Sequence, residues 1–367
     1  MAAVDPSGVR EFYAHARDRD WTCAGPSPDA IAFHRGLDGY AVTPLVDLPE
    51  AAAELGVGRV LAKVESARLG LPAFKALGAS WAIDRVLGDR TERLTVVTAT
   101  DGNHGRAVAR FARLRGHGAA IYIPDGVSEH AVQAIRDEGA EVHVVGGPYD
   151  NAVRAAARAA DVDGSVLVQD TAWEGYEEIP AWIVEGYATL FTEIDSQLRD
   201  QQAVADLVVV PAGVGSLLHA ALAHYRSRPD GPAIVSVEPV VAACMAPSLM
   251  AGESVTVDTG ITVMSGLNCG TPSSLAWPFI EAGLDAAVAV DDDAALRAVG
   301  DLSTWGVSSG PCGGAGLAAL RAVLAGPDHA TRRAHLGLEG ASTVVFLVTE
   351  GADANPVEAS AVRRLAD

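Results

Sequence analysis

Cysteine is scarce: the chain has four in 367 residues, Cys23, Cys244, Cys269 and Cys312, with no Cys-x-x-Cys pair. That usage excludes a disulfide-dense secreted scaffold and predicts a cytoplasmic, reduced protein. A bridge between Cys244 and Cys269 is kept only as a minor alternative. Positive charge is also in short supply, with 27 Lys and Arg against 47 Asp and Glu and a net charge of −20. Such an excess argues against nucleic acid or an anionic membrane as partner, although a locally basic pocket could still take an anionic substrate. Long apolar runs are missing too: Gly, Pro or charge interrupts each well before the roughly 18 residues a membrane span needs. The opening MAAVDPSGVREFYAHARDRD lacks the basic and then apolar regions of a signal peptide. No cluster of ligand-type residues supports a metal site. What remains is a hydrophobic fraction of 49% with 38 glycines, the composition of a soluble globular protein large enough for about two or three domains.

Short apolar runs alternate with helical patterns. LTVVTAT (94–100) precedes GRAVARFARLRG; then come AAIYIP (119–124), EHAVQAIRDEGA, EVHVVGG (141–147) and SVLVQD (165–170). This reads as strands joined by helical crossovers and predicts a parallel α/β sheet. ADLVVVPAG (205–213), AIVSVEP (233–239) and STVVFLVTEG (342–351) supply strands of a second block, while 40–84 reads as strand, turn and helix. The segment 247–262 reads as a polar, Gly-containing loop able to cover a cleft.

Three stretches carry chemistry. Lys75 opens the helical GLPAFKALGASWAI (70–83), an apolar setting for a lysine. A lysine that attacks a carbonyl must be held rigidly and partly desolvated, so that some of it is neutral. By itself the residue also suits a snorkelling lysine on an amphipathic helix. TATDGNHGRAVA (98–109) turns from strand to helix through small and polar residues, which makes an anion site from backbone N–H groups and a helix N-terminus. Asn103 in that turn can donate to a phenolate oxygen. PAGVGSLLHA (211–220) has the form of a phosphate cradle but lacks the Lys-Ser/Thr of a P-loop and a full G-x-G-x-x-G. One lysine, one cradle and one ring-nitrogen partner suit pyridoxal phosphate (PLP) better than a nucleotide.

In this order the three stretches resemble the fold-type-II PLP family, the tryptophan synthase β-like α/β enzymes that include threonine dehydratases and serine racemases. Within it the diaminopropionate ammonia-lyases are echoed by AFKALGAS (73–80), ATDGNHGRAVA (99–109), QDTAWEGYEEIPAWIVEGYATL (169–190), VEP (237–239) and TVMSGLNCGTPSSLAW (262–277), a resemblance running from about Thr43 to Gly351. It implies two domains of mostly parallel twisted sheets flanked by helices. Residues 1–84 with 191–367 would form the larger, PLP-binding one, 85–190 the smaller, with the substrate cleft between them. It also implies a homodimer. Lys75 would be the Schiff-base lysine and a Cα base, with Phe74 beside it; Asn103 would meet the PLP 3′-oxygen. Gly213, Val214, Gly215 and Ser216 would hold the phosphate, and Thr349 would stand at the pyridine nitrogen. Asp101 would be a carboxylate base on the opposite face, and Asp170 would help it grip a β-ammonium group. Thr100, Gly102 and His104 would complete the small amino-acid substrate's surroundings. The implied reaction is loss of ammonia from 2,3-diaminopropionate, giving pyruvate and a second ammonia.

The chain departs from that pattern at Pro72, three places before the lysine; at Pro311 and Cys312, where Glu-Ser is usual; and at Leu218 and His219, where small residues are usual. These positions bear on substrate choice more than on cofactor placement. A dehydratase, a β-replacement enzyme on another small β-substituted amino acid, and a non-catalytic amino-acid-binding protein stay open as alternatives.

Overall fold

In the computed structural model of the chain, residues 9–147, 149–326 and 328–356 are described. Eleven strands lie among them: β1 (Val9–Ala14), β2 (Leu45–Asp47), β3 (Arg59–Val64), β4 (Thr95–Ala99), β5 (Gly118–Pro124), β6 (Glu141–Val145), β7 (Ser165–Leu167), β8 (Leu207–Pro211), β9 (Ala233–Pro239), β10 (Ala286–Val290) and β11 (Thr343–Val348). Seven form one sheet in the order β1-β10-β9-β8-β11-β3-β2, parallel except for the two edge strands. The other four form a parallel sheet, β6-β5-β4-β7. Strands β8 to β11 are buried along their whole length, which is why they read as continuous apolar runs rather than alternating ones. No helix among the described residues is long and apolar enough to cross a membrane.

Sequence and structure differ at several elements. SVLVQD stops being a strand at Leu167, because the Gln169 side chain replaces the backbone as partner of β4: its Oε1 accepts from Ala99 N at 2.8 Å and from Thr98 Oγ1 at 2.9 Å. The expected loop 247–262 begins inside a helix, Met245–Ala251. Pro247 there lies in the first turn, where its missing N–H has no helical partner to lose. The strands β1 and β10 were not anticipated. The pairing entertained between Cys244 and Cys269 does not exist: both are buried free thiols, as is Cys312.

The helix that starts with Lys75 (Lys75–Leu87) is held against the long helix Glu178–Asp200 by an exchange of glycines. A Cβ on Gly78 would stand 2.6 Å from the Tyr187 ring, and one on Gly186 would stand 2.6 Å from the Leu77 carbonyl oxygen. Only hydrogen at both positions lets the backbones approach this closely. The turn before Lys75 is tied in turn to the end of β11, through Phe74 N to Thr349 O (3.1 Å) and Gly351 N to Pro72 O (2.9 Å). The lysine therefore stands on a fixed base.

Candidate active site

The C-terminal ends of β4, β7, β8 and β11 open onto one cavity of about 970 Å³, the place where parallel sheets form ligand crevices. Lys75, Phe74, Thr100, Asp101, Gly102, Asn103, His104, Asp170, Gly213, Val214, Gly215, Ser216 and Thr349 all line it. Every site residue expected from the sequence is thus brought to one cavity. The sequence contains only two lysines. Lys63 is fully buried and ion-paired to Glu193 at 2.7 Å, so Lys75 is the one that reaches this cavity.

Lys75 Nζ donates to Asp170 Oδ2 at 2.6 Å and lies 5.2 Å from the centroid of the Phe74 ring. Burial works against its charge, but the Asp170 carboxylate outweighs burial and holds the ammonium protonated well above the usual lysine range. The two aspartates are driven apart. Burial raises Asp101 to about 7, with the Asp170 charge adding to it. Asp170 is pushed up by burial yet pulled down to about 2, chiefly by the Lys75 ammonium. One carboxyl is therefore poised near neutrality and the other stays anionic, the divergence seen where one group exchanges protons and its neighbour supplies fixed charge.

His104 donates through Nε2 to the Val168 carbonyl at 2.9 Å. Burial lowers its pKa, so the ring is neutral and its Nδ1, 3.9 Å from Asp170 Oδ2, is a buried acceptor without a partner. Thr100 turns its hydroxyl oxygen inward to accept from Gly102 N and Gly105 N, shaping the turn that starts the Asn103–Leu114 helix.

The turn 213–216 leads from β8 into the helix Ser216–Tyr225. Gly215 has φ of +92°, a left-handed value that a side chain would strain. The first N–H groups of that helix have no intrahelical acceptor, and residues 213–217 line the cavity with the helix dipole behind them. Ser216 Oγ donates to the Asp170 carbonyl at 2.5 Å, linking the cradle to the acidic pair. At the far side the Thr349 hydroxyl is buried with no hydrogen-bond partner.

Several residues at the cavity wall or buried just behind it were not expected from the sequence. Tyr187 faces Lys75, with its ring centroid 5.8 Å from Nζ. Gln169 Nε2 bridges Tyr149 Oη (2.8 Å) and Asp170 Oδ1 (3.2 Å). Glu350, Cys269 and Cys312 also line the wall. Of these, Glu350 stands just beyond a buried parallel strand, where such crevices open, but its part in the site follows only from where β11 lies.

The family model described as pyridoxal-phosphate dependent enzyme matches residues 37–350. A curated relative from Salmonella typhimurium, diaminopropionate ammonia-lyase, is 35% identical over 362 residues, covering 89% of this chain and 89% of the relative. The crystal structure of holo diaminopropionate ammonia lyase from Escherichia coli superposes with a TM-score of 0.88 at 32% identity, covering 98% of this chain and 97% of that one. The same Escherichia coli enzyme in complex with an aminoacrylate-PLP azomethine reaction intermediate gives 0.84 at 33% identity, over 97% and 98% of the two chains.

Proposed function

Because the chain belongs to the pyridoxal-phosphate-dependent enzyme family, we propose that it eliminates ammonia from 2,3-diaminopropionate, giving pyruvate and a second ammonia with uptake of one water. The observation that carries this reading is the pair of aspartates that line the cavity with Lys75, Asp170 standing 2.6 Å from its nitrogen.

The cavity suits the cofactor on its own features. The Gly213–Ser216 turn is a phosphate cradle; the buried, unpartnered Thr349 hydroxyl can meet a pyridine nitrogen; Asn103 can donate to a ring oxygen; and Lys75 is the cavity's one lysine. Bound there, PLP supplies an electron sink for negative charge at the substrate Cα. A neutral hydroxyl at the ring nitrogen, in place of a carboxylate, keeps that sink moderate and suits elimination over transamination.

The protein's own groups supply the rest. Asp170, anionic across the working range, offers the charge that a β-ammonium needs on leaving water. Asp101, with a pKa near 7, is matched to proton transfer at neutral pH. Lys75 offers a second proton-handling group once its own nitrogen is free. Buried Phe74 and Tyr187 shield the lysine from water. A hydroxyl-bearing substrate such as serine gives two carboxylates no cation to bind, which is why the diamine is preferred. Residues 1–84 with 191–367, and 85–190, are proposed as the two domains bounding the cleft, in a homodimer working in the cytoplasm.

The test is a coupled pyruvate assay on purified holoenzyme. Diaminopropionate should yield pyruvate with two ammonia per turnover, while serine and threonine react far more slowly. Comparable rates from serine would make the protein a dehydratase instead.

A further inference from the structure

Glu350 has no part in the reading above, yet its side chain is buried at the cavity wall. Its two carboxylate oxygens do different things. Oε1 accepts from the backbone N–H of Cys312 at 3.2 Å, in the first turn of the helix Pro311–Leu324. Oε2 accepts from Asn103 Nδ2 at 2.6 Å, across 247 residues of sequence. The space is made for it: a Cβ on Gly310 would stand 2.6 Å from Oε1. The flanking residues, Thr349 and Gly351, are the ones hydrogen-bonded to the turn that carries Lys75. One residue thus joins the lysine turn, the Asn103 turn and a helix N-terminus.

The structural role is plain, because a carboxylate at a helix N-terminus is stabilising wherever it comes from. That role uses Oε1. The bond through Oε2 adds nothing to the helix, and its effect falls on Asn103. A carboxylate can only accept, so it holds the Asn103 amide nitrogen by one of its two hydrogens and leaves the other free to donate into the cavity. Burial raises the carboxyl pKa, with the Cys312 and Asn103 donors opposing the rise.

We propose that Glu350 is a positioning residue for the cofactor, acting by orienting the Asn103 amide toward the ring oxygen. This rests on the cofactor and on the place given to Asn103, and is independent of the substrate. The test compares wild-type, Glu350→Gln, Glu350→Ala, Asn103→Ala and the Glu350→Ala/Asn103→Ala double variant as holoenzymes. Three readouts are taken: the visible absorption maximum, the rate of cofactor loss on dialysis, and the far-UV circular dichroism melting curve. Loss of a hydrogen bond to a charged group predicts that E350A and N103A each release cofactor about tenfold faster or more and shift the visible band. The double variant should behave as N103A alone, since Glu350 acts through Asn103. E350Q keeps an acceptor for Asn103 and should fall between wild-type and E350A. A wild-type band and release rate in E350A, or a double variant whose effect is the product of the singles, would overturn the proposal. If E350A fails to fold, E350Q decides by the same criteria; if neither folds, Glu350 serves folding alone and the proposal falls. A wild-type protein with no visible band would bring down the cofactor assignment itself, and this inference with it.

Discussion

Asp101 makes the sharpest quantitative demand on the protein. Its carboxyl is raised from 3.8 to about 7, by burial first and by Asp170 second. A carboxyl that holds its proton more tightly when folded stabilises the fold below its unfolded pKa and loses that contribution as pH rises through its folded value. Three pH units at about 1.36 kcal/mol each give roughly 4 kcal/mol in all, of which about a third is already lost by pH 5. Asp101→Asn replaces the group by an amide that does not titrate. Whatever constant offset the substitution brings, the variant should gain about 2–3 kcal/mol on wild-type between pH 5 and pH 8. Urea unfolding of the cofactor-free proteins at the two pH values measures it. Parallel stability curves, or a variant that loses ground as pH rises, would refute the elevated carboxyl and with it the assignment of Asp101 as a base near neutrality. The same variant should lose most of its turnover.

Further outcomes follow from particular contacts. Asp170→Asn leaves the Lys75 ammonium in the cavity without its partner, so the cofactor-free protein should lose about 1–3 kcal/mol at pH 7 and recover part of it at higher pH, where the lysine can shed its proton; urea titration at two pH values decides. Gly186→Ala drives a methyl into the Leu77 carbonyl, and should cost about 1–3 kcal/mol while spreading the helix that bears Lys75; an unchanged melting temperature would contradict the close approach. Glu193→Gln removes the carboxylate shared by buried Lys63 and Arg68. It should cost about 3 kcal/mol, near the lower end for a broken buried pair because Arg68 keeps Glu65; a chemical melt on the variant checks it.

Much of this was legible in the residues. Strands β8, β9 and β11 announce themselves because burial on both faces leaves continuous Val, Ile and Leu runs, whereas β10, AAVAV, is mostly alanine and takes its strand form from β9 and β1 on either side. The Met245–Ala251 helix hid behind Pro247. At the site, Lys75, Asp101, Asn103 and the 213–216 turn each sit at the start of a helix or the end of a strand, where local pattern marks them. Glu350, Tyr187 and Gln169 do not: their roles come from partners 247, 112 and 71 residues away, and no local pattern encodes such distances. Glu350 was separable only once β11 had been placed beside the Lys75 turn.

The account rests on Lys75 carrying the cofactor, and the chain's second lysine provides an internal control. Borohydride reduction of the holoenzyme followed by peptide mass mapping should place the pyridoxyl group on Lys75 alone, with the visible band bleached and Lys63 unmodified. A label on Lys63 or the N-terminal amine, or no label beside a persisting band, would contradict it.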